Sequence, residues 1–186
     1  MALHLKTKWR KRGPKTIEDR ATVVASNIWR IAQETCRHME IEGYKLGSDA
    51  QVAGVMTELM SFLVQIADRI VYGQLSEDDR SRFVHALGKN LARITSNNLA
   101  EFVGPGKYIH AFIDTLNARS GDYAEFEFNN MQPSYAFVRY LGEKVSQAMQ
   151  ATDSKWVLEQ VVDVEAPVAI KAVKKMVGEA LGVKVS

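Results

Sequence analysis

Apolar residues recur at steps of three and four along most of this chain, the period of helices that turn one face inward. The pattern is densest between Ser48 and Tyr72. On a helical wheel Val52, Val55, Met56, Leu59, Leu63, Ile66 and Ile70 share one face there, and Met60, Phe62, Val64, Ala67 and Val71 widen it past half the circumference. A helix that apolar is covered from several sides, so residues 48–72 are expected at the centre of a bundle. The remaining strip holds Gln51, Thr57, Glu58, Ser61, Gln65, Asp68 and Arg69. Ser48 and Gln51 have capping-box spacing, in which each side chain satisfies the other's free backbone N–H.

The flanking segments repeat the pattern with narrower stripes. Thr16 is a candidate cap for a helix carrying Ile17, Ala21, Val24, Ile28, Ile31, Thr35 and Met39 and ending near Gly43. Ser76 precedes Glu77, Asp78 and Asp79, acids suited to a helix N-terminus, and Phe83, Val84, Leu87, Leu91 and Ile94 follow in phase, with His85 outside the stripe. Gly104-Pro105-Gly106-Lys107 turns the chain into a short helix with Tyr108, Ile109, Phe112, Ile113 and Leu116, which Gly121 is expected to close. Pro133 suits the first position of a helix bearing Phe137, Leu141, Val145 and Met149. A last segment, about 153–182, is capped by Thr152 or Asp153 and kinked or broken at Pro167, whose ring and missing N–H disrupt a helix interior. Beyond Pro167 the stripe Ile170, Val173, Val177 and Leu181 opposes Lys171, Lys174, Lys175 and Glu179. These pieces specify an all-α fold: a single-domain antiparallel bundle of six or seven helices around a central apolar helix.

Composition supports this reading without naming a function. The chain has 186 residues, 46% apolar and 25% charged, enough for one domain with a continuous core. One cysteine, Cys36, leaves no intramolecular disulfide and suits a reducing compartment. The start lacks the apolar run of a secretory signal, and Thr57, Glu58, Ser61 and Gln65 interrupt even the central helix, so no membrane span and a cytoplasmic location are expected.

Charge is distributed unevenly. Lys6, Lys8, Arg10, Lys11, Arg12 and Lys15 place +6 in the first fifteen residues; the formal +2 of the whole chain less that +6 leaves −4 for the rest. Residues 1–15 read as a basic arm ahead of a helical domain at 16–186. With Trp9 among its cations, the arm can follow phosphates and stack on a base, or meet another anionic partner. A solvated tail on the mildly acidic body is the plainer alternative.

Candidate chemistry is sparse. Glu34 and His38, like His110 and Asp114, are one helical turn apart, a spacing that can orient an imidazole or offer two metal ligands. Neither pair is a complete site, and the sequence specifies no metal and no cofactor. Cys36 and His38 point about 200° apart on a helix and cannot act as nucleophile and base together. Gly106-Lys107 is not a phosphate loop, because Glu101 and Tyr108 stand where that motif needs a glycine and a Ser or Thr. Six of sixteen aromatic residues fall between Tyr123 and Tyr140. Tyr123, Phe126, Phe128 and Tyr135 are candidates for a pocket or partner surface, although burial against the core is the simpler expectation. Phe126 and Phe128 also permit a brief extended segment.

Three functional readings follow. A non-catalytic helical interaction or adaptor protein, self-associating or bound to another protein, fits the abundance of apolar helix face. A nucleic-acid-associated protein would use the arm. An all-α enzyme or metal protein would assemble Glu34, His38, Glu58, Asp68, His110 or Asp114 across helices. No small-molecule ligand is specified.

Overall fold

The computed structural model describes residues 14–102, 104–151 and 154–185. The helices are α1 (Ile17–Ile41), α2 (Asp49–Val71), α3 (Glu77–Phe102), α4 (Tyr108–Ala124), α5 (Tyr135–Met149), α6 (Ser154–Gln160) and α7 (Ala166–Leu181). Between α4 and α5 lies a two-residue hairpin, β1 (Phe128–Asn129) and β2 (Gln132–Pro133). The protein is an all-α bundle built around α2, which packs against α1, α3, α4, α5 and α7. Thr16 with Asp19, and Ser48 with Gln51, form reciprocal capping boxes at the starts of α1 and α2. Ser76 accepts the Asp79 N–H at the start of α3.

The polar strip of α2 is largely buried and is met by neighbouring helices. Glu58, Ser61 and Gln65 are among the buried polar residues. Arg119 of α4 donates two hydrogen bonds to the Glu58 carboxylate, each 2.7 Å. Gln65 donates to Ser120 at 2.7 Å, and Arg69 donates to the Tyr123 and Ala124 carbonyls at the end of α4. Arg80 of α3 grips Asp68 through bonds of 2.7 and 2.8 Å. A buried charge is tolerated when its partner arrives with matched geometry, and the guanidinium fork matches a carboxylate. Gln51, besides closing its capping box, donates to the Met149 carbonyl at the end of α5.

Three boundaries differ from the sequence expectation. Gly121 does not close α4, which continues to Ala124 because Tyr123, 1% exposed, anchors the last turn in the core. Pro133 lies in β2, and Ser134 caps α5 instead by accepting the Phe137 N–H. The permitted extended segment is the hairpin, turned by Asn130 and Met131 at φ 50° and 58°. The chain does not break at Pro167, which sits in the first turn of α7; just before it Val161–Glu165 form a π-helical turn joining α6 to α7, and the Ala166 N–H bonds back five residues to the Val161 carbonyl. The wider turn relieves the carbonyl crowding that the proline ring would cause in an α-helix. The candidate caps Thr152 and Asp153 lie outside the described residues. Gly142 brings α5 close to α6, since a Cβ there would meet the Leu158 carbonyl oxygen at 3.3 Å.

The aromatic run mainly joins the core. Tyr123 stacks on Phe137 with ring centroids 4.5 Å apart, Phe62 lies 5.7 Å from Phe137, and half-buried Phe126 and Phe128 close around the same ring. Tyr135, at the start of α5, is exposed. By length and mean apolarity α2 alone among the described helices would also suit a bilayer; here it is the helix that the others surround.

Candidate functional site

The stripe of α7 turns inward: Val173 and Val177 are fully buried, and Ile170 and Leu181 nearly so. Their burial leaves the lysine face outward. Along it runs an open groove of about 850 Å³, with Pro167, Ile170 and Gly178 of α7 on one side and Pro133 of the hairpin and Val138 of α5 on the other. Past Gly182, which ends α7 in a left-handed conformation, the chain folds back and places Val183 and Val185 at the groove's end. Gln74 holds this return by donating to the Lys184 carbonyl and accepting the Lys184 N–H, both at 2.8 Å. The lining is mostly apolar, with Lys171, Lys174 and Lys175 at its edge against a single acid, Glu179. Lys175 lies 4.0 Å from Glu179, while Lys171 and Lys174 form no ion pair among the described residues. Val168, 67% exposed, stands one turn before Lys171 and extends the apolar surface toward the π-helical turn.

The π-helical turn also builds a polar cluster that spacing along one α-helix does not reveal. Glu165 is buried, and its Oε1 accepts from Gln160 at 2.9 Å and lies 2.7 Å from the His38 Nδ1. Residues five apart, such as Gln160 and Glu165, align on one face only in this wider winding. His38 Nε2 also faces Glu42 at 3.7 Å. The hydrogen bond and charge of Glu165, with a smaller contribution from Glu42, raise the His38 pKa. The two carboxylates favour the protonated ring, and the His38–Glu165 contact ties α1 to the π-helical turn. Burial pushes the nearby Cys36 thiol up to about 12, which keeps it out of its nucleophilic form.

The other candidate residues are dispersed. Glu34 is exposed one turn from His38 and does not share its contacts; His110 and Asp114 are exposed on α4 without a bond to each other. α1 packs on α2, α3 and α7, whereas α4 packs on α2 and α3, so the two pairs do not form one site. Glu58 and Asp68 are committed to Arg119 and Arg80. Among the described residues no three His, Cys, Asp or Glu side chains converge as a ligand set. Of the basic arm, Lys6, Lys8, Trp9, Arg10, Lys11 and Arg12 lie outside the described residues, and Lys15 directly precedes the Thr16 cap. Of the aromatic candidates, Tyr123 is buried, Phe126 and Phe128 lean on the core, and Tyr135 presents its ring to solvent.

No protein-family model, curated protein or solved structure matches this chain, so the functional reading rests on its own residues.

Proposed function

We propose that this protein is a non-catalytic helical interaction module whose α7 groove takes an acidic amphipathic helix from a partner protein. The lysine-edged apolar groove carries this reading. An amphipathic helix binds by laying an apolar face into a hydrophobic groove, and complementary charge at the rim sets its register and approach. The sixteen residues of α7 span ~24 Å, matching a little over four turns of a partner helix. Leucines of that helix would cover Val138, Ile170 and Val168, and flanking carboxylates would meet Lys171, Lys174 and Lys175.

Fluorescence anisotropy with a labelled Leu/Glu helical peptide tests the idea, with its Leu/Lys counterpart as the control. The acidic peptide is expected to bind and the basic one not to. Reversing the edge with K171E/K174E/K175E should weaken binding by about tenfold or more, at ~1 kcal/mol or less for each exposed pair. Equal binding of both peptides, or of neither, overturns the reading. Sedimentation of the chain alone separates the partners: a dimer dispersed by the same triple substitution would make a second copy the occupant.

A further inference from the structure

The arginines of the bundle divide into two groups. Arg20, Arg69, Arg80, Arg82, Arg119 and Arg139 each hold a backbone carbonyl or a carboxylate. Arg30, Arg37 and Arg93 are exposed and hold neither among the described residues. All three fall on α1 and α3, which pack against each other, and Lys89, also exposed and unpaired, lies on α3 with Arg93.

Two contacts set how these helices run together: Arg82 donates to Glu18 at 2.9 Å, and Asn90 donates to Thr22 at 3.1 Å. α1 and α3 therefore leave a common end in the same direction. One turn beyond the Thr22–Asn90 contact stand Ser26 and Arg93, and two turns beyond it Arg30 and Asn97. Arg37 continues the α1 row two turns past Arg30, and Lys89 precedes Arg93 by one turn. Ser26, Arg30, Gln33 and Arg37 on one helix, with Lys89, Arg93 and Asn97 on the other, form a stripe of cations and neutral polar groups that holds no acid. The acids at the head of the seam, Glu18, Asp78 and Asp79, are already matched by Arg82.

A guanidinium pairs with phosphate oxygens through two parallel bonds, and hydroxyl and amide side chains beside it are common phosphate donors. Arg30 and Arg37 stand ~10 Å apart along α1, the rise of about three phosphates of one duplex strand at ~3.4 Å each. Trp29 and Phe83 are buried, and α1 and α3 expose no aromatic ring among the described residues, so the stripe offers unstacked bases no platform. We propose that the α1–α3 seam is a docking surface for the phosphate backbone of double-stranded DNA. Residues 1–15, with their +6, lead directly into α1, while the rest of the chain carries +2 less +6, or −4. The seam thus adds phosphate contacts to those of the arm rather than binding alone, and it is independent of the α7 groove.

Fluorescence anisotropy of the full chain with a labelled mixed-sequence DNA duplex, at about 50 to 200 mM salt, tests this. R30Q/R37Q/R93Q should weaken binding at least about tenfold at the lowest salt and reduce the slope of log affinity against log salt by about 3, at about 0.9 for each lost phosphate contact. R30K/R37K/R93K keeps the charge and should keep most of the slope, and K107Q/K155Q/K184Q, which removes the same charge from other faces, should change it by less than about 1. All these positions are exposed, so the variants retain the fold, which circular dichroism checks. A wild-type chain that does not bind the duplex at low salt, a slope unchanged in R30Q/R37Q/R93Q, or an equal loss in K107Q/K155Q/K184Q would overturn the proposal.

Discussion

Arg119→Leu tests how the centre of the bundle is held. Arg119 binds Glu58 through two hydrogen bonds of 2.7 Å, and its remaining Nη1 donates to Asp122 at 3.3 Å, whose carboxylate in turn accepts from the Tyr140 hydroxyl. The Glu58 side chain is 10% exposed and that of Arg119 18%, so water does little to screen the pair. Removing the guanidinium leaves a carboxylate inside the bundle with neither countercharge nor donor. Deleting one member of a buried pair costs about 3–5 kcal/mol. For a chain of this size each kcal/mol corresponds to ~2–4 °C in Tm, so the variant should melt ~6–20 °C lower. The paired change Glu58→Leu with Arg119→Leu removes both charges and should recover much of that loss, because apolar replacements of a buried pair are often neutral. Urea denaturation of the wild type, both single variants and the double gives the coupling energy directly. A loss below about 1 kcal/mol for Arg119→Leu, or a double variant no better than the single, would show that water reaches Glu58 and would refute the reasoning.

Other consequences follow from the same contacts. Phe137→Ala opens a void beneath Tyr123 and Phe62 and should cost about 3–5 kcal/mol in urea, whereas Tyr135→Ala, at an exposed ring, should stay within about 0.5 kcal/mol. The His38–Glu165 contact makes stability depend on pH: His38 titrates higher in the folded protein, so its contribution is full below the ordinary histidine value of about 6.5 and is lost as pH rises through the folded value. His38→Gln should therefore flatten the fall in Tm between about pH 6 and pH 9, and an unchanged slope would remove His38 as its source. If the basic arm engages nucleic acid, the intact chain should bind mixed-sequence DNA with strong salt dependence and a chain starting at Thr16 should not; anisotropy at several salt concentrations decides this.

The centre of the bundle was legible because burial follows helical period: one wheel identified α2, and Ser48 and Thr16 marked two starts through capping chemistry. What a wheel cannot show is the group a neighbouring helix supplies. Glu58, Gln65 and Asp68 read as a polar strip, yet Arg119, Ser120 and Arg80, up to about sixty positions away, complete it. The Gly121 boundary was missed because buried Tyr123 outweighs the low helix propensity of glycine. Glu165 was missed because the π-helical turn changes the phase of the wheel; Pro167, two residues on, was its signal. Half of the groove was visible in the lysines opposite the α7 stripe. Its other wall, Pro133 and Val138, is brought there only by tertiary packing.

Amide hydrogen exchange of the full chain, with and without the acidic amphipathic peptide, tests the proposed interaction most directly. Protection concentrated on residues 132–138 and 166–185, and lost with K171E/K174E/K175E, is the predicted result. Protection confined to any other face, or none at peptide concentrations that saturate anisotropy, would contradict it.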